Sequence, residues 1–406
     1  MKLLIYSTNF APEPTGIGKY SGEMASWLGH KGHEVRVICA PPYYPAWKVD
    51  PAYKHSWYRN EIIDGVKVLR CPLWVPEKPG GLKRIVHLLS FALFSFPVAM
   101  AQIFWRPDAV VTIAPALVCA PGALLLARLS GAKSWLHIQD FELDVAFEMG
   151  LIKGKWLKKL LYFFERFLFN RFDAISSISR SMLARLLGKN VVSNKIHFFP
   201  NWVDISNIHP LDRMSSYREQ LNISSEQIVL LFSGSLGGKQ GLLTIPKAAR
   251  LLGAEHNLVF VICGNGVMKP ELEAEAQDLP NFIFLPIQPL EQLNELLALA
   301  DIHLLTQDPS AADLVLPSKL TGMLASGKPI LATCHADTEI SNIVSTCGVI
   351  APPGDPEALA KAIALLANDA ELRHKLGVLA RQYAEQNLSR EVILQKFNTE
   401  LSVLLG

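Results

Sequence analysis

The chain has 406 residues, half of them apolar, and a formal net charge of +2. That leaves room for two α/β domains, each with its own buried core. It also excludes a general nucleic-acid binder, whose phosphate contacts need dense Lys and Arg. Six cysteines are scattered at Cys39, Cys71, Cys119, Cys263, Cys334 and Cys347 with no C-x-x-C pair. No secretory leader precedes the first apolar run, and a reduced cytoplasmic setting is expected.

The first run, Leu3 to Tyr6, is apolar without alternation, as in a strand buried on both faces of a parallel sheet. Gly16 and Gly18 then open a segment with Tyr20, Met24, Trp27 and Leu28 at helical spacing. A strand, a glycine loop and a helix start offer close backbone approach and unpaired N–H groups to an anion, with Lys19 adding charge. "TGIG" lacks the full G-x-G-x-x-G spacing, so a plain connector remains an alternative.

Further strand-like runs follow: "EVRVICA", "AVVTIAP", "KSWLHIQD", "AISSIS" and "KIHFFPN". Their alternation with helical patterns predicts a doubly wound domain. Leu88 to Phe104 is uncharged and approaches the length of a membrane-spanning helix. Pro97 interrupts it and a strand follows, so a buried helix packed on the sheet is expected, with a surface-bound role left open. The segment 151–172 mixes Lys153, Lys155, Lys158, Lys159, Arg166 and Arg171 with leucines and aromatics, a composition suited to a headgroup surface or to a core-facing stripe with solvated lysines.

Pro200, Asn201 and Pro210 break the helical pattern in "FFPNWVDISNIHPLD", which places the linker. The second half restarts with "QIVLLFSGSLGGKQGL" and continues through "NLVFVICGNG", "NFIFLPIQ", "ADIHLLTQ" and "KPILAT". The expected organisation is a Rossmann-like domain over 1–203, a second over 204–385, and a terminal helix over 386–406 packing back on the first, with a cleft between the domains. In the second half, Gly234, Gly237 and Gly238 precede a helix, and Lys239 and Lys319 each lie near a helix start. Such a site suits a pyrophosphate, because backbone N–H groups fix its geometry while lysine neutralises it.

The order "TGIGKY…LGHKGHEVRV", "PD…IAP", "FFPNWVD", "FSGSLGGKQGL", "CGNG" and "LPSKLTGMLASGKPILAT" resembles GT-B glycosyltransferases of family four, over almost the whole chain. The resemblance implies a nucleotide-sugar donor such as GDP-fucose and a retained anomeric configuration. It further implies a lipid-linked glycan acceptor in exopolysaccharide assembly of the colanic acid type, at the inner face of the cytoplasmic membrane. It assigns Gly16, Gly18 and Lys19 to the donor phosphates and sugar. It assigns Gly234, Gly237, Lys239, Pro317, Ser318 and Lys319 to the diphosphate, and Gly264 and Gly266 of "CGNG" to the nucleotide, although that stretch alone reads equally as a turn.

Around "WLHIQDFELD" the resemblance implies a catalytic histidine before an aspartate. Aligned on Asp140, that place holds Gln139, and strand alternation puts His137 on the same face as Gln139. His137, Gln139 and Asp140 are therefore the catalytic candidates, with Glu142 and Asp144 in the same loop. The chain departs from the family pattern where two glutamates are usual, at Leu314 and Gly322, and carries Ser235 and Gln240 where an arginine and a lysine are common. Asp313 or Ser318 could take over a hydroxyl contact.

There is no D-x-D pair and no His/Cys cluster with ligand spacing, so neither an essential metal nor a cofactor is expected. Two other classes stay open: a sugar-nucleotide epimerase and a non-catalytic nucleotide-sugar-binding subunit.

Overall fold

The computed structural model describes the chain except residues 55–56, 78–79, 116, 142, 145–154, 254–256 and 311–316, and the side chains of residues 81, 82, 155 and 157. Two compact units result: Met1–Pro200 with Leu394–Gly406, and Asn201–Ile393.

The first unit contains β1 (Lys2–Ser7), α1 (Gly16–His30), β2 (Glu34–Cys39), β3 (Arg59–Ile63), β4 (Val66–Arg70) and α2 (Gly81–Ala101). It continues with β5 (Ala109–Ala114), α3 (Ala120–Ser130), β6 (Lys133–Ile138), α4 (Lys155–Arg171), β7 (Ala174–Ser177), α5 (Arg180–Gly188) and β8 (Ile196–Phe198). The eight strands lie in the order β3-β4-β2-β1-β5-β6-β7-β8, parallel except for the β3–β4 hairpin. Strand β1 sits in the middle between β2 and β5, which is why Leu3, Leu4 and Ile5 are all fully buried. The hairpin turns at Asp64 and Gly65, both with positive φ, and no sequence expectation covered it.

The second unit holds α6 (Tyr217–Gln220), β9 (Ile228–Ser233), α7 (Thr244–Leu252), β10 (Leu258–Cys263), α8 (Lys269–Glu275) and β11 (Phe282–Leu285). Then come α9 (Leu293–Ala298), β12 (Ile302–Thr306), α10 (Ser318–Ala325), β13 (Ile330–Thr333), α11 (Glu339–Val344), β14 (Gly348–Ala351), α12 (Pro356–Asn368) and α13 (Ala370–Asn387). Its wholly parallel sheet runs β11-β10-β9-β12-β13-β14, with apolar clusters on both faces. Eleven expected strand runs, six in the first unit and five in the second, form strands; β14 was not anticipated.

The last helix, α14 (Arg390–Leu405), begins in the second unit and ends in the first. Within the first unit, Phe397 stacks on Phe199 with centroids 4.5 Å apart and meets Trp135 edge-on at 5.0 Å. Asn398 Oδ1 lies 2.8 Å from His33 Nε2.

Helix α2 corrects one expectation. Only one of its sides is buried on the sheet, through Phe91, Ser95 and Ala99; the other is open to solvent.

Candidate active site

In the first unit, the β1–α1 loop is organised by a buried carboxylate. Glu13 Oε1 accepts from the backbone N–H groups of Tyr43 and Tyr44, each at 3.0 Å, and Oε2 accepts from Asn9 Nδ2 at 2.9 Å. Burial raises its pKa above the usual carboxylate value, opposed by these three donors and by the nearby Arg70 charge. Arg70, itself buried, donates to the carbonyls of Ala11 at 2.5 Å and Ala40 at 2.8 Å and pairs with Glu61 at 2.6 Å. Two loops are thereby tied together at the carboxyl end of β1, where open parallel sheets place their ligands.

The glycines of this loop have different reasons. Gly16 takes φ +59° at the first position of α1, a left-handed conformation that disfavours a side chain. A methyl group on Gly18 would stand 2.5 Å from both Cβ and Oε2 of Glu13. The space expected for a donor next to Gly18 is thus filled by Glu13. Lys19 is partly exposed, 3.9 Å from Glu23, and Thr15 gives the helix start no side-chain cap.

At the end of β6, alternation holds: Gln139 Nε2 donates to His137 Nε2 at 3.0 Å, so both side chains lie on one face. That leaves Nδ1–H of His137 to donate to Ser176 Oγ at 2.9 Å. Burial pushes the imidazole down to about 3, and it is neutral in this arrangement. Both ring nitrogens are engaged within the protein, so His137 orients the Gln139 amide. Asp140 is half-buried next to it. Asp144 is held by Tyr162 Oη at 2.7 Å and by Lys189 at 3.1 Å, whereas Glu142 lies outside the described residues.

In the second unit, two glycine loops pack backbone to backbone. Gly234 N–H donates to the Cys263 carbonyl and Leu236 N–H to that of Asn265, both at 2.9 Å. A methyl group on Gly264 would stand 1.9 Å from the Gly234 oxygen, and one on Gly266 would stand 2.3 Å from that of Leu236. The glycines of "CGNG" are required by this loop contact. A Cβ on Gly237 would only touch Ser235 Oγ, at 3.8 Å, and around Gly238 the space is open.

Lys319, at the start of α10, reaches the same loop. Its Nζ donates to Gln240 Oε1 at 3.1 Å and lies 3.8 Å from the Phe232 ring centroid, and its Cδ is where a Cβ on Gly234 would make contact, at 3.4 Å. Burial lowers this ammonium to about 7. Lys239 is exposed, and among the described residues only its backbone carbonyl is engaged, by Asp308 N–H at 3.0 Å. Ser318 is exposed at a helix start where Pro317 provides no side-chain cap. At Gly322, a Cβ would crowd Leu297 at 3.3 Å, so no glutamate fits there without repacking; Asp313 and Leu314 lie outside the described residues. The residues that sequence reasoning missed are Glu13, Arg70 and the role of Gln240, because nothing in a linear pattern marks a carboxylate in a Pro-rich loop as buried.

Two sequence families match this arrangement, the glycosyl transferase 4-like domain over residues 15–202 and the glycosyl transferases group 1 over 214–383. The chain is 43% identical to the Escherichia coli (strain K12) glycosyl transferase WcaI, assigned to colanic acid biosynthesis, over 99% of this chain and 100% of that one. The chain belongs to the GT-B glycosyltransferases. This glycosyltransferase is also 30% identical to Pseudomonas aeruginosa WbjE, itself named as a glycosyltransferase, over 78% of this chain and 80% of WbjE. Its fold is shared with sucrose-phosphate synthase from Thermosynechococcus elongatus (TM-score 0.76, 16% identity, 100% and 99% of the two chains). It is shared as well with Anabaena HepE in complex with UDP (TM-score 0.73, 16% identity, 99% and 100%).

Proposed function

We propose that the glycosyltransferase moves fucose from GDP-fucose to a lipid-linked oligosaccharide, with retention, in assembly of an exopolysaccharide of the colanic acid type. It works in the cytoplasm at the inner membrane face. The observation that carries the donor side is Lys319, a cation held against the Gly234 loop with its ammonium depressed toward neutrality. The naming of the 43% identical relative supports the polysaccharide reading, and the family resemblance supplies donor, lipid carrier and stereochemistry.

In the reaction the bond between the sugar C1 and the diphosphate oxygen breaks. The acceptor hydroxyl forms the new C1–O bond on the same face, and its proton passes to the departing diphosphate. Negative charge grows on that leaving group as the sugar becomes cation-like, so a lysine and preorganised N–H groups act where charge develops. The Lys319 ammonium is disfavoured in its buried surroundings and favoured beside a diphosphate. Gly237, Gly238 with open space beside it, and the N–H groups at Ser318 and Lys319 would take the phosphate oxygens. In the first unit, Gln139 and Asp140 face the acceptor and transferred sugar, and His137 holds Gln139 in place.

A thermal-shift panel of nucleotide sugars tests the donor, because a ligand bound only by the folded state raises the melting temperature. GDP-fucose is expected to give the largest shift; a larger shift with a UDP-sugar overturns the donor assignment. Transfer to a polyprenyl-diphosphate glycan, with the new anomeric proton read by NMR, tests acceptor and stereochemistry.

A further inference from the structure

One face of the first unit carries an apolar surface that no described residue covers. Helix α2 makes up most of the segment Lys83–Trp105, long and apolar enough to cross a membrane, yet only 28% of its most apolar stretch is buried. Val86, Leu89, Leu93 and Phe96 follow helical spacing on its open side, with Leu93 70% exposed. Phe96 rests on Gly122 of α3, where an added Cβ would be 3.2 Å away, and Leu125 and Leu129 extend the same exposed surface along that helix. Helix α4 packs beside α3 and exposes Trp156, Phe163, Phe164 and Phe167, the first at 75%. Trp57, 72% exposed, meets Phe94 of α2 edge-on, and Tyr58 Oη donates to the Phe94 carbonyl at 3.0 Å.

The charge on these three helices is one-sided. Lys83, Arg128, Lys158, Lys159, Arg166 and Arg171 are all exposed. Their only carboxylate is Glu165, which is buried and paired with Lys189 at 2.5 Å.

We infer that the α2–α3–α4 face docks on an anionic lipid bilayer, with α2 lying in the plane of the interface. Apolar side chains at this spacing partition into the headgroup–acyl boundary, interfacial aromatics anchor there, and a basic rim is drawn to anionic lipid. A second copy of the chain is a poor occupant, because a two-fold contact would set this basic surface against itself. Helix α2 does not leave the sheet to span the bilayer: Ser95 is hydrogen-bonded to the Tyr6 hydroxyl at 2.5 Å, and Arg36 donates to Gln102 just beyond the helix at 3.1 Å. The inference deepens the proposed membrane-borne acceptor and rests on that reading for its purpose.

The test is flotation of the purified full chain with vesicles that contain no glycan acceptor, either zwitterionic or with anionic phosphatidylglycerol. Binding to anionic vesicles is expected, with release by salt or alkaline carbonate. Leu89→Gln/Leu93→Gln and Lys158→Gln/Lys159→Gln should each weaken it about tenfold while keeping the melting temperature and the donor-induced shift. No vesicle binding overturns the inference, as does binding unchanged by the Leu89/Leu93 pair. Retention after carbonate would mean spanning, and a vesicle-free dimer dissolved by the leucine changes would mean that a second copy covers the face; either overturns it. Because the vesicles lack acceptor, failure here leaves the lipid-linked acceptor to be decided by the transfer assay alone.

Discussion

The carboxylate of Glu13 occupies the volume that a side chain on Gly18 would need, with Oε2 2.5 Å from the position of the missing Cβ. The two residues should therefore be energetically coupled. Gly18→Ala is expected to cost about 1–3 kcal/mol by overpacking. Combined with Glu13→Gly, the loss should fall short of the sum of the single changes by more than about 0.5 kcal/mol, read from denaturant midpoints. Strict additivity would show that Glu13 is not what fills the space.

The same carboxylate gives a pH signature. Its folded pKa is raised by burial above the unfolded value of about 4.3, so between the two values the folded state binds more protons than the unfolded. Its contribution to stability is present at low pH and is lost as pH rises through the folded pKa. Glu13→Gln retains an acceptor for the Tyr43 and Tyr44 N–H groups and should remove this dependence. Parallel melting-temperature profiles for variant and wild type from acid to neutral pH would contradict it.

Lys319→Ala should weaken donor binding by roughly 1.5–3 kcal/mol, the range for hydrogen bonds to charged groups, with Lys239→Ala within the same range if its exposed side chain swings onto the phosphates. The free ammonium titrates near 7, and a bound diphosphate favours the charged form. Above that pH, binding must take up a proton, so affinity should fall by up to about tenfold per pH unit. Calorimetry in buffers of different ionisation enthalpy would measure the uptake. Donor affinity independent of pH and unchanged in both alanine variants rules the assignment out.

His137 and Gln139 should behave as one unit. His137→Ala and Gln139→Ala are each expected to lower the rate at saturating donor, and the double variant to lose little more than either alone, as for groups that act together. With its pKa near 3, His137 contributes no ionisation to the rate profile between about pH 5 and 9. A rate for His137→Ala within threefold of wild type would remove the pair from the mechanism.

Gly264→Ala should cost about 3 kcal/mol or more, since a methyl group would meet the Gly234 oxygen at 1.9 Å, backbone against backbone. Gly238→Ala, with nothing within 4 Å, should leave the melting temperature close to wild type. Similar thermal stability in the two variants would show that the paired loops rearrange freely.

The parallel strands were legible because burial on both faces writes itself as apolar runs such as "IVLLF" and "LVFVI". The β3–β4 hairpin was not, although Asp64-Gly65 is a recognisable turn, because Arg59, Asn60 and Glu61 make one strand too polar to stand out. For α2, composition gave the helix but not which side of it stays bare. At the site, Lys319 and the glycine loops could be found from helix starts and glycine spacing. The reasons for Gly18, Gly264 and Gly266 could not, since each depends on an atom from a neighbouring loop that only the folded chain brings within reach.

The first unit is discontinuous, and its last helix comes from the end of the chain. While the polypeptide emerges from the ribosome, Trp135 and Phe199 wait without Phe397 until some two hundred further residues have been made, and the intervening unit is synthesised first. Synthesis order and completion order therefore differ. A protein cut after Leu394 would keep the second unit, Asn201–Ile393, and leave the first without Phe397 and with an open apolar seam, the kind of defect that quality-control proteases detect.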